Sequence, residues 1–406
     1  MQRLFERQKR LIRNLSLEFK RSLYGNIDWG MRLIEIKGAR GVGKTTLMLQ
    51  RVKELSASGA NVLYVTLDDP YFFRNSLYDL ADDFYKYGGT HLFIDEVHRY
   101  PSKIKGRDWS VEIKNIYDSY PEISVVYSGS SILEIYKGEG DLSRRKVSYS
   151  LNGLSFREYL EFTNVKKIGI LQLPDIVSAH EKIVEDMFSD VRILPLFKEY
   201  LQRGYYPYFK ETNSNGKYYE RLVSVINLII ENDIPSVTDI KYESIAKLKK
   251  LFAVIATSVP YTSNMKSLAD ELQISDYKSL LKLLTYLEKS ELLILLNSKA
   301  KGNKILHKPD KIYINNTNLL YALGITDVST GTARETFFIN QIKYLHSVKL
   351  ADSGDFLVDD KYLFEIGGKN KTKKQISDRP DSYVVSDEIE TGFGRKIPLY
   401  LFGFLY

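Results

Sequence analysis

Apolar and polar positions follow two different rhythms along this chain. Between about residues 33 and 151, short apolar, β-branched runs recur: Leu33 to Ile36, "NVLYVT" from Asn61, Leu92 to Ile94, "ISVVY" from Ile123, and Lys146 to Leu151. Each ends in polar or glycine-bearing positions, and helical-period stretches separate them. Strands alternating with helices predict an α/β fold with a parallel, doubly wound sheet. After about residue 165 this alternation fades. "LPDIVSAHEKIVEDMFSDV" and "YYERLVSVINLIIENDI" read as helices on either side of the Gly204–Pro207 turn, a helical linker or lid.

The rhythm changes again at "NMKSLADELQISDYKSLLKLLTYLEKSELLILLNS". Leu268, Ala269 and Leu272 mark the inner face of one helix and Leu280, Leu283, Leu284 and Leu287 that of a second, with a turn at Gln273 to Ser275. Leu292 to Leu296 then begin a strand that would turn near Lys301–Lys304. Helix–turn–helix followed by a strand pair predicts a winged helix, with Lys278, Ser279 and Lys282 facing outward where a DNA groove or a protein partner could meet them. From about residue 326 the chain reads as a small α/β domain: a helix "ARETFFINQIKYL", then two short strands in "GDFLVDDKYLFEIGGKNK". The expected boundaries are 1–25 for an N-terminal helix, 26–165 for the first α/β domain, 166–245 for the linker, 246–325 for the winged helix and 326–406 for the C-terminal domain.

Composition adds little to this picture. The chain has 406 residues, 44% of them hydrophobic, and no cysteine, which excludes disulfides and thiolate chemistry and fits a reducing cytoplasm. The net charge of +7 favours acidic partners such as nucleic acid. Arg3, Arg7, Lys9, Arg10, Arg13, Lys20 and Arg21 concentrate part of that charge at the N-terminus. Leu4, Leu11, Leu15, Phe19 and Leu23 fall near one helical stripe there, so this segment is expected to be an amphipathic helix packed on the domain that follows. No apolar core follows the charges, so no signal peptide is expected, and "IPLYLFGFLY" is too short to span a bilayer. A buried terminal strand and no membrane contact are the expectations.

The candidate chemistry lies first in "GARGVGKTT". Gly38, Gly43, Lys44 and Thr45 match G-x-x-x-x-G-K-[ST] between an apolar strand and a helix. The glycines let the backbone of Gly38, Gly41, Val42, Gly43, Lys44, Thr45 and Thr46 turn its N–H groups toward phosphates, and the helix N-terminus adds partial positive charge. Lys44 would reach the β- and γ-phosphates and the Thr45 hydroxyl would ligate Mg²⁺. The strand Leu92 to Ile94 ends in Asp95, placed to hold the same metal, and Glu96, placed as general base for an attacking water. Ser128 or Ser130 would sense the γ-phosphate from the next strand tip, against the equal alternative of a plain strand-ending turn. Arg144 and Arg145 are candidate arginine fingers, in cis or in trans across an oligomer, against the alternative that they pair with surface acids. Neither N-K-x-D nor D-x-x-G follows, so ATP is favoured over GTP.

These stretches, with "YVTLDD", "LFIDEVHRYP", "YSGSSILEI", "DLSRR", "LSFREYLEF" and "PLFKEYLQRGYYPYF", resemble a family of prokaryotic AAA-type ATPases that is related to the archaeal-type ATPases and carries a C-terminal domain of unknown function. The resemblance spans nearly the whole chain. It implies ATP binding and ATP hydrolysis, and leaves the cellular partner, DNA or protein, open.

The C-terminal domain poses a separate question. Glu335 on a helix, Asp355 on one strand and Glu365 on the next follow the order of a P-D-(D/E)-x-K nuclease fold and form a candidate second metal site. Strand side chains alternate with period two, so the catalytic lysine belongs two residues after Glu365. Gly367 stands there. The expectation is a nuclease-like fold retained for binding that has lost cutting, unless Lys369 or Lys371 curls back over Gly367 and Gly368; the alternative is an unrelated α/β packing module.

Overall fold

The computed structural model describes residues 1–101, 108–131, 142–262, 264–274, 276–298, 308–324, 328–372 and 379–406. Two compact units emerge, Met1–Gly153 together with Glu231–Ile240, and Leu154–Ile230 together with Lys241–Tyr406. Residues 231–240, expected inside the linker, therefore group with the first unit.

The first unit is built on β1 (Leu33–Gly38), β2 (Val62–Thr66), β3 (His91–Asp95), β4 (Ser124–Ser130) and β5 (Val147–Ser150). They lie in the order β2-β3-β4-β1-β5 and every pair is parallel. The runs read from the sequence are these strands. β3 and β4 are apolar on both faces because helices cover both, and Leu92, Ile94 and Val125 are fully buried. Helix Lys44–Ala57 leaves β1 through Gly43 and buries Leu47, Met48 and Val52. Helix Leu77–Lys86 starts at Ser76, whose hydroxyl accepts the Asp79 N–H at 3.0 Å, and helix Trp109–Ser119 starts at Asp108, which accepts the Ser110 N–H at 2.8 Å. All five strands run the same way, so the carboxyl ends of β1, β3 and β4 meet at one edge, where α/β sheets bind ligands.

The N-terminal helix, Gln2–Arg13, packs on this unit as expected, with Leu4 and Gln8 buried. The longer stripe does not continue, and Leu11 is 41% exposed. Beyond Arg13 the backbone finds other partners: Lys53 donates to the Leu15 carbonyl at 2.7 Å, and the Gln50 amide donates to those of Ser16 and Phe19 at 3.1 and 2.8 Å. With its carbonyls satisfied by side chains of the neighbouring helix, this stretch has no need of helical bonds of its own. Gln8 performs a further service at β2, the edge strand. Its amide donates to the Val62 carbonyl at 3.1 Å and its oxygen accepts the Tyr64 N–H at 2.6 Å, so one side chain stands in for a missing strand neighbour.

In the second unit, helices Leu173–Phe188, Ile193–Arg203 and Asn215–Leu228 occupy the region expected to be helical. Helices Tyr242–Thr257, Met265–Glu271 and Tyr277–Lys289 follow, with β6 (Tyr261–Thr262), β7 (Leu293–Leu296) and β8 (Lys311–Ile314) in the order β6-β8-β7, all antiparallel. Two helices followed by a strand pair is the element order read from the sequence. Leu268, Leu272, Leu280, Leu283, Leu284 and Leu287 are buried, and Lys278 and Lys282 are exposed. The wing turn expected near Lys301–Lys304, and Ser275 at the end of the helix–helix turn, lie outside the described residues. A second sheet of β9 (Val348–Leu350), β10 (Phe356–Val358), β11 (Tyr362–Gly367), β12 (Ser382–Ser386) and β13 (Lys396–Pro398) closes the chain in spatial order β13-β12-β11-β10-β9. β9, β10 and β11 are antiparallel neighbours, whereas β11, β12 and β13 are parallel. The terminal run is a strand only as far as Pro398. Leu399–Phe404 then forms a buried 3₁₀ helix whose Phe402 and Phe404 pack on Phe338 and Phe156, because aromatic contacts on several sides favour a turn over a flat strand. Among the described residues no helix is long and apolar enough to cross a membrane.

Candidate functional site

At the carboxyl edge of the first sheet, the chain leaves β1 through a loop that only glycine can form. Gly41 and Gly43 adopt φ of 87° and 104°. A Cβ on Gly38 would fall 2.2 Å from the Leu151 carbonyl oxygen, so this position has no room for a side chain. Lys44 is buried and donates to the carbonyls of Gly38 and Ala39 at 2.9 and 3.0 Å, which holds its ammonium over the loop. Arg21 supports the loop from outside. It donates to the Val42 carbonyl at 2.7 Å and to those of Asn152 and Gly153 at 2.7 and 2.9 Å. The sequence offered Arg21 only as part of a basic stretch; its buried role needs the fold to be seen.

Asp95 is the hub of the acidic half. Its carboxylate accepts hydroxyl hydrogens from Thr45 at 2.6 Å, Tyr64 at 2.7 Å and Ser128, and the Glu96 N–H at 3.1 Å. The structure thus brings together the Thr45, Asp95 and Ser128 named from the sequence and adds Tyr64, which was missed. Burial and the neighbouring Asp95 charge push the Tyr64 phenol far above its ordinary range, so it remains a donor. Ser130 is buried on the same strand in register with Gly38. Glu96 sits at φ 53°, a left-handed conformation that costs a non-glycine residue about 1 kcal/mol or more. Its carboxylate is 3.9 Å from the Arg40 guanidinium and 3.2 Å from His98 Nε2.

Arg144 and Arg145 lie elsewhere. Val147 is in register with Ile34, so the residues just before β5 stand at the amino end of β1, whereas the loop leaves the carboxyl end at Gly38. Parallel strands of this length separate those ends by roughly 15–20 Å. A finger acting in cis is therefore excluded for both. Arg145 pairs with Asp118 at 3.0 and 3.1 Å, the surface-acid alternative, and Arg144 is exposed.

The second unit holds the C-terminal acids. Asp355 immediately precedes β10 and faces β11, its backbone N–H donating to the Phe364 carbonyl at 3.0 Å and its carboxylate accepting the Ile366 N–H at 2.7 Å. Glu365 is buried and paired with the Lys371 ammonium. Lys371 reaches it because Gly367 has no side chain: a Cβ there would lie 2.6 Å from both Cβ and Cγ of Lys371. Glu335 accepts the Tyr313 hydroxyl at 2.6 Å and lies 3.8 Å from the Lys311 ammonium. Burial, reinforced by the other carboxylates, pushes the Glu335 carboxyl above its usual range against the pull of Tyr313 and Lys311. Burial likewise raises Glu365, opposed by Lys371. Glu335 and Glu365 each feel the charge of Asp355. Among the described residues, however, no three carboxylate or imidazole groups converge as a metal cage, because Glu335 and Glu365 are each turned to a lysine or tyrosine partner. An open groove of about 1110 Å³, lined by Glu181, Glu185, Asp186, Asp190 and Glu390 among others, includes none of the residues of either centre.

Residues 31–160 match the family model of an AAA domain, and residues 194–330 match a domain of unknown function (DUF8612). Loop geometry and match agree. Residues 31–160 are therefore similar to an AAA domain of the P-loop kind. Neither match extends past residue 330, so the acidic centre around Glu365 lies beyond both. A protein from Methanocaldococcus jannaschii, described only as uncharacterized, is 27% identical over 369 residues, covering 85% of this chain and 77% of its own. Among solved structures, the replication initiator DnaA bound to AMPPCP and single-stranded DNA is similar at 14% identity and a TM-score of 0.31, covering 71% of this chain and 88% of its own. The Aeropyrum pernix ORC1 protein in complex with DNA is similar at 14% identity and a TM-score of 0.29, covering 79% and 91%. Likeness this distant carries no argument about activity.

Proposed function

We propose that this protein binds ATP with Mg²⁺ and hydrolyses it, working as an ATP-driven switch whose output passes through the second unit. The observation that carries the reading is the loop from Gly38 to Thr46. It has an ammonium poised on two of its own carbonyls and a Thr45 hydroxyl shared with Asp95 at 2.6 Å. Backbone N–H groups of Gly41 to Thr46 would receive the phosphates, and Lys44 would exchange the Gly38 and Ala39 carbonyls for the β- and γ-oxygens. Thr45 and Asp95 are the residues that would hold Mg²⁺, which supplies charge neutralisation at the phosphates. Glu96 would take a proton from the attacking water, and Ser128 fixes the Asp95–Glu96 turn through its hydrogen bonds to both.

The deciding experiment is steady-state ATP turnover by wild type, Lys44→Ala and Glu96→Gln, each with and without DNA and RNA. Lys44→Ala should abolish nucleotide binding. Glu96→Gln should retain binding and lose turnover by at least about a hundredfold. Wild-type turnover in Glu96→Gln would remove the general-base role. Binding without turnover in the wild type would favour a nucleotide-gated binding module. Stimulation by DNA that disappears in Lys278→Glu/Lys282→Glu would name nucleic acid as the winged helix's partner; unchanged DNA affinity in that variant would leave a protein partner.

The Lys371–Glu365 pair favours a second reading of the C-terminal centre, a nuclease-like site whose lysine arrives from further along the chain. Cleavage of DNA or RNA that depends on Mg²⁺ or Mn²⁺ and is lost in Glu365→Ala supports it. Intact substrates under all these conditions leave a fold that binds without cutting.

A further inference from the structure

Asp233 is a wholly buried carboxylate that no sequence motif marks. It belongs to the segment Glu231–Ile240, which joins the first unit although the chain on both sides of it belongs to the second. Its oxygens lie 3.1 and 3.0 Å from the Arg40 guanidinium, a side chain of the phosphate loop itself. Arg99 holds the same carboxylate at 2.6 Å, and His98 Nε2 lies 3.7 Å away. Around these stands the candidate base: Glu96 is 3.2 Å from His98 Nε2 and 3.9 Å from Arg40. His98 is buried, yet neither ring nitrogen has an aligned hydrogen-bond partner. Burial alone would raise the Asp233 carboxyl; His98, Arg40 and Arg99 outweigh it and hold the group below the usual carboxylate range.

Two features make Arg40 the movable member of this cluster. Its side chain is 28% exposed while Asp233 is fully buried, so Arg40 can turn toward the loop's own anion site. Asp233 also keeps Arg99 and His98 when Arg40 leaves, so the exchange does not strand a buried charge, the outcome that makes breaking such pairs costly. A terminal phosphate carries more charge than a carboxylate and offers a guanidinium a bidentate acceptor.

We propose that Asp233 is the resting counter-ion of Arg40, and that the terminal phosphate of a bound nucleoside triphosphate takes Arg40 from it. Residues 231–240 then report whether that phosphate is present, and Glu96 loses the cation that holds its carboxylate aside. Asp233 is a positioning residue in this scheme. The inference rests on the phosphate-loop reading above.

The test is equilibrium binding of ADP and of a non-hydrolysable triphosphate analogue to the full chain by calorimetry. Asp233→Asn should tighten the analogue about tenfold, some 1.4 kcal/mol, and leave ADP unchanged. Arg40→Ala should weaken the analogue alone, and Asp233→Asn should have no effect on an Arg40→Ala background. Equal shifts for both nucleotides, or an Asp233→Asn effect that survives without Arg40, would overturn the proposal. A readout on the wild type stands apart from whether variants fold: amide hydrogen exchange in 231–240 should accelerate with the analogue and not with ADP, and identical exchange in the two complexes would overturn it as well. A wild type that binds neither nucleotide would refute the phosphate-loop reading itself, and this inference with it.

Discussion

Tyr64 and Gly367 carry roles that their side chains alone do not announce. Tyr64 donates to Asp95 from the neighbouring strand at 2.7 Å, in a buried setting. Tyr64→Phe should lower stability by about 1–2 kcal/mol, read by urea denaturation, because a buried carboxylate loses one of its donors. Gly367→Ala should act through Lys371: the new methyl takes the space of its Cβ and Cγ, drives the ammonium from Glu365 and leaves a buried acid without its cation. A loss of roughly 1–3 kcal/mol is expected, recovered in part by adding Glu365→Gln, which removes the stranded charge. Lys44, Thr45, Asp95 and Glu96 stood out in the sequence because each lies at or just after the end of a strand, in a pattern that phosphate chemistry would use. Tyr64 was not, because its relevance depends on β2 lying beside β3, and strand order leaves no mark on hydrophobic periodicity. Lys371 was legible only as an alternative: glycine at the lysine position reads first as loss, and only packing shows the vacancy filled by a later lysine.

At the scale of elements, β2 illustrates how an edge is managed. An unpaired strand edge invites another chain, and here Gln8 occupies it through both of its amide atoms. Gln8→Ala should cost about 1–2 kcal/mol and raise the aggregation rate, measured by light scattering during mild heating, whereas Gln8→Asn, one methylene shorter, should behave nearly as badly. Strand positions were predicted closely in the first unit because parallel strands buried on both faces read as continuous apolar runs. The N-terminal helix was over-extended, since its leucine spacing persists past Arg13 while the backbone hydrogen bonds do not. The terminal strand was misread for a related reason: an apolar run records burial without recording shape.

Across the whole molecule, the two charged centres respond to pH with opposite sign. Glu335 and Glu365 have raised carboxyls, so the folded second unit holds protons that the unfolded chain has released. Their contribution to its stability is greatest in acid and is lost as pH climbs through the range just above the ordinary carboxylate value. Asp233 is lowered, so its contribution to the first unit is present above that range and disappears as pH falls below it. Hydrogen exchange followed unit by unit should therefore show the second unit loosening as pH rises from about 4 to 6, and the first loosening only as pH falls below about 4. Glu335→Gln should flatten the first trend without touching the second.

The return of residues 231–240 to the first unit also bears on how such a chain can be inherited. A module that travels by recombination is most easily exchanged when it is one uninterrupted stretch of gene. Here the first unit is written in two places, separated by part of the second. A crossover at the edge of the AAA match, residue 160, would transfer the phosphate loop with Arg40, His98 and Arg99 and leave Asp233 behind. The transplanted half would arrive with Arg40 and Arg99 deprived of the buried carboxylate that pairs them. A clean transfer of the first unit would have to carry both of its stretches.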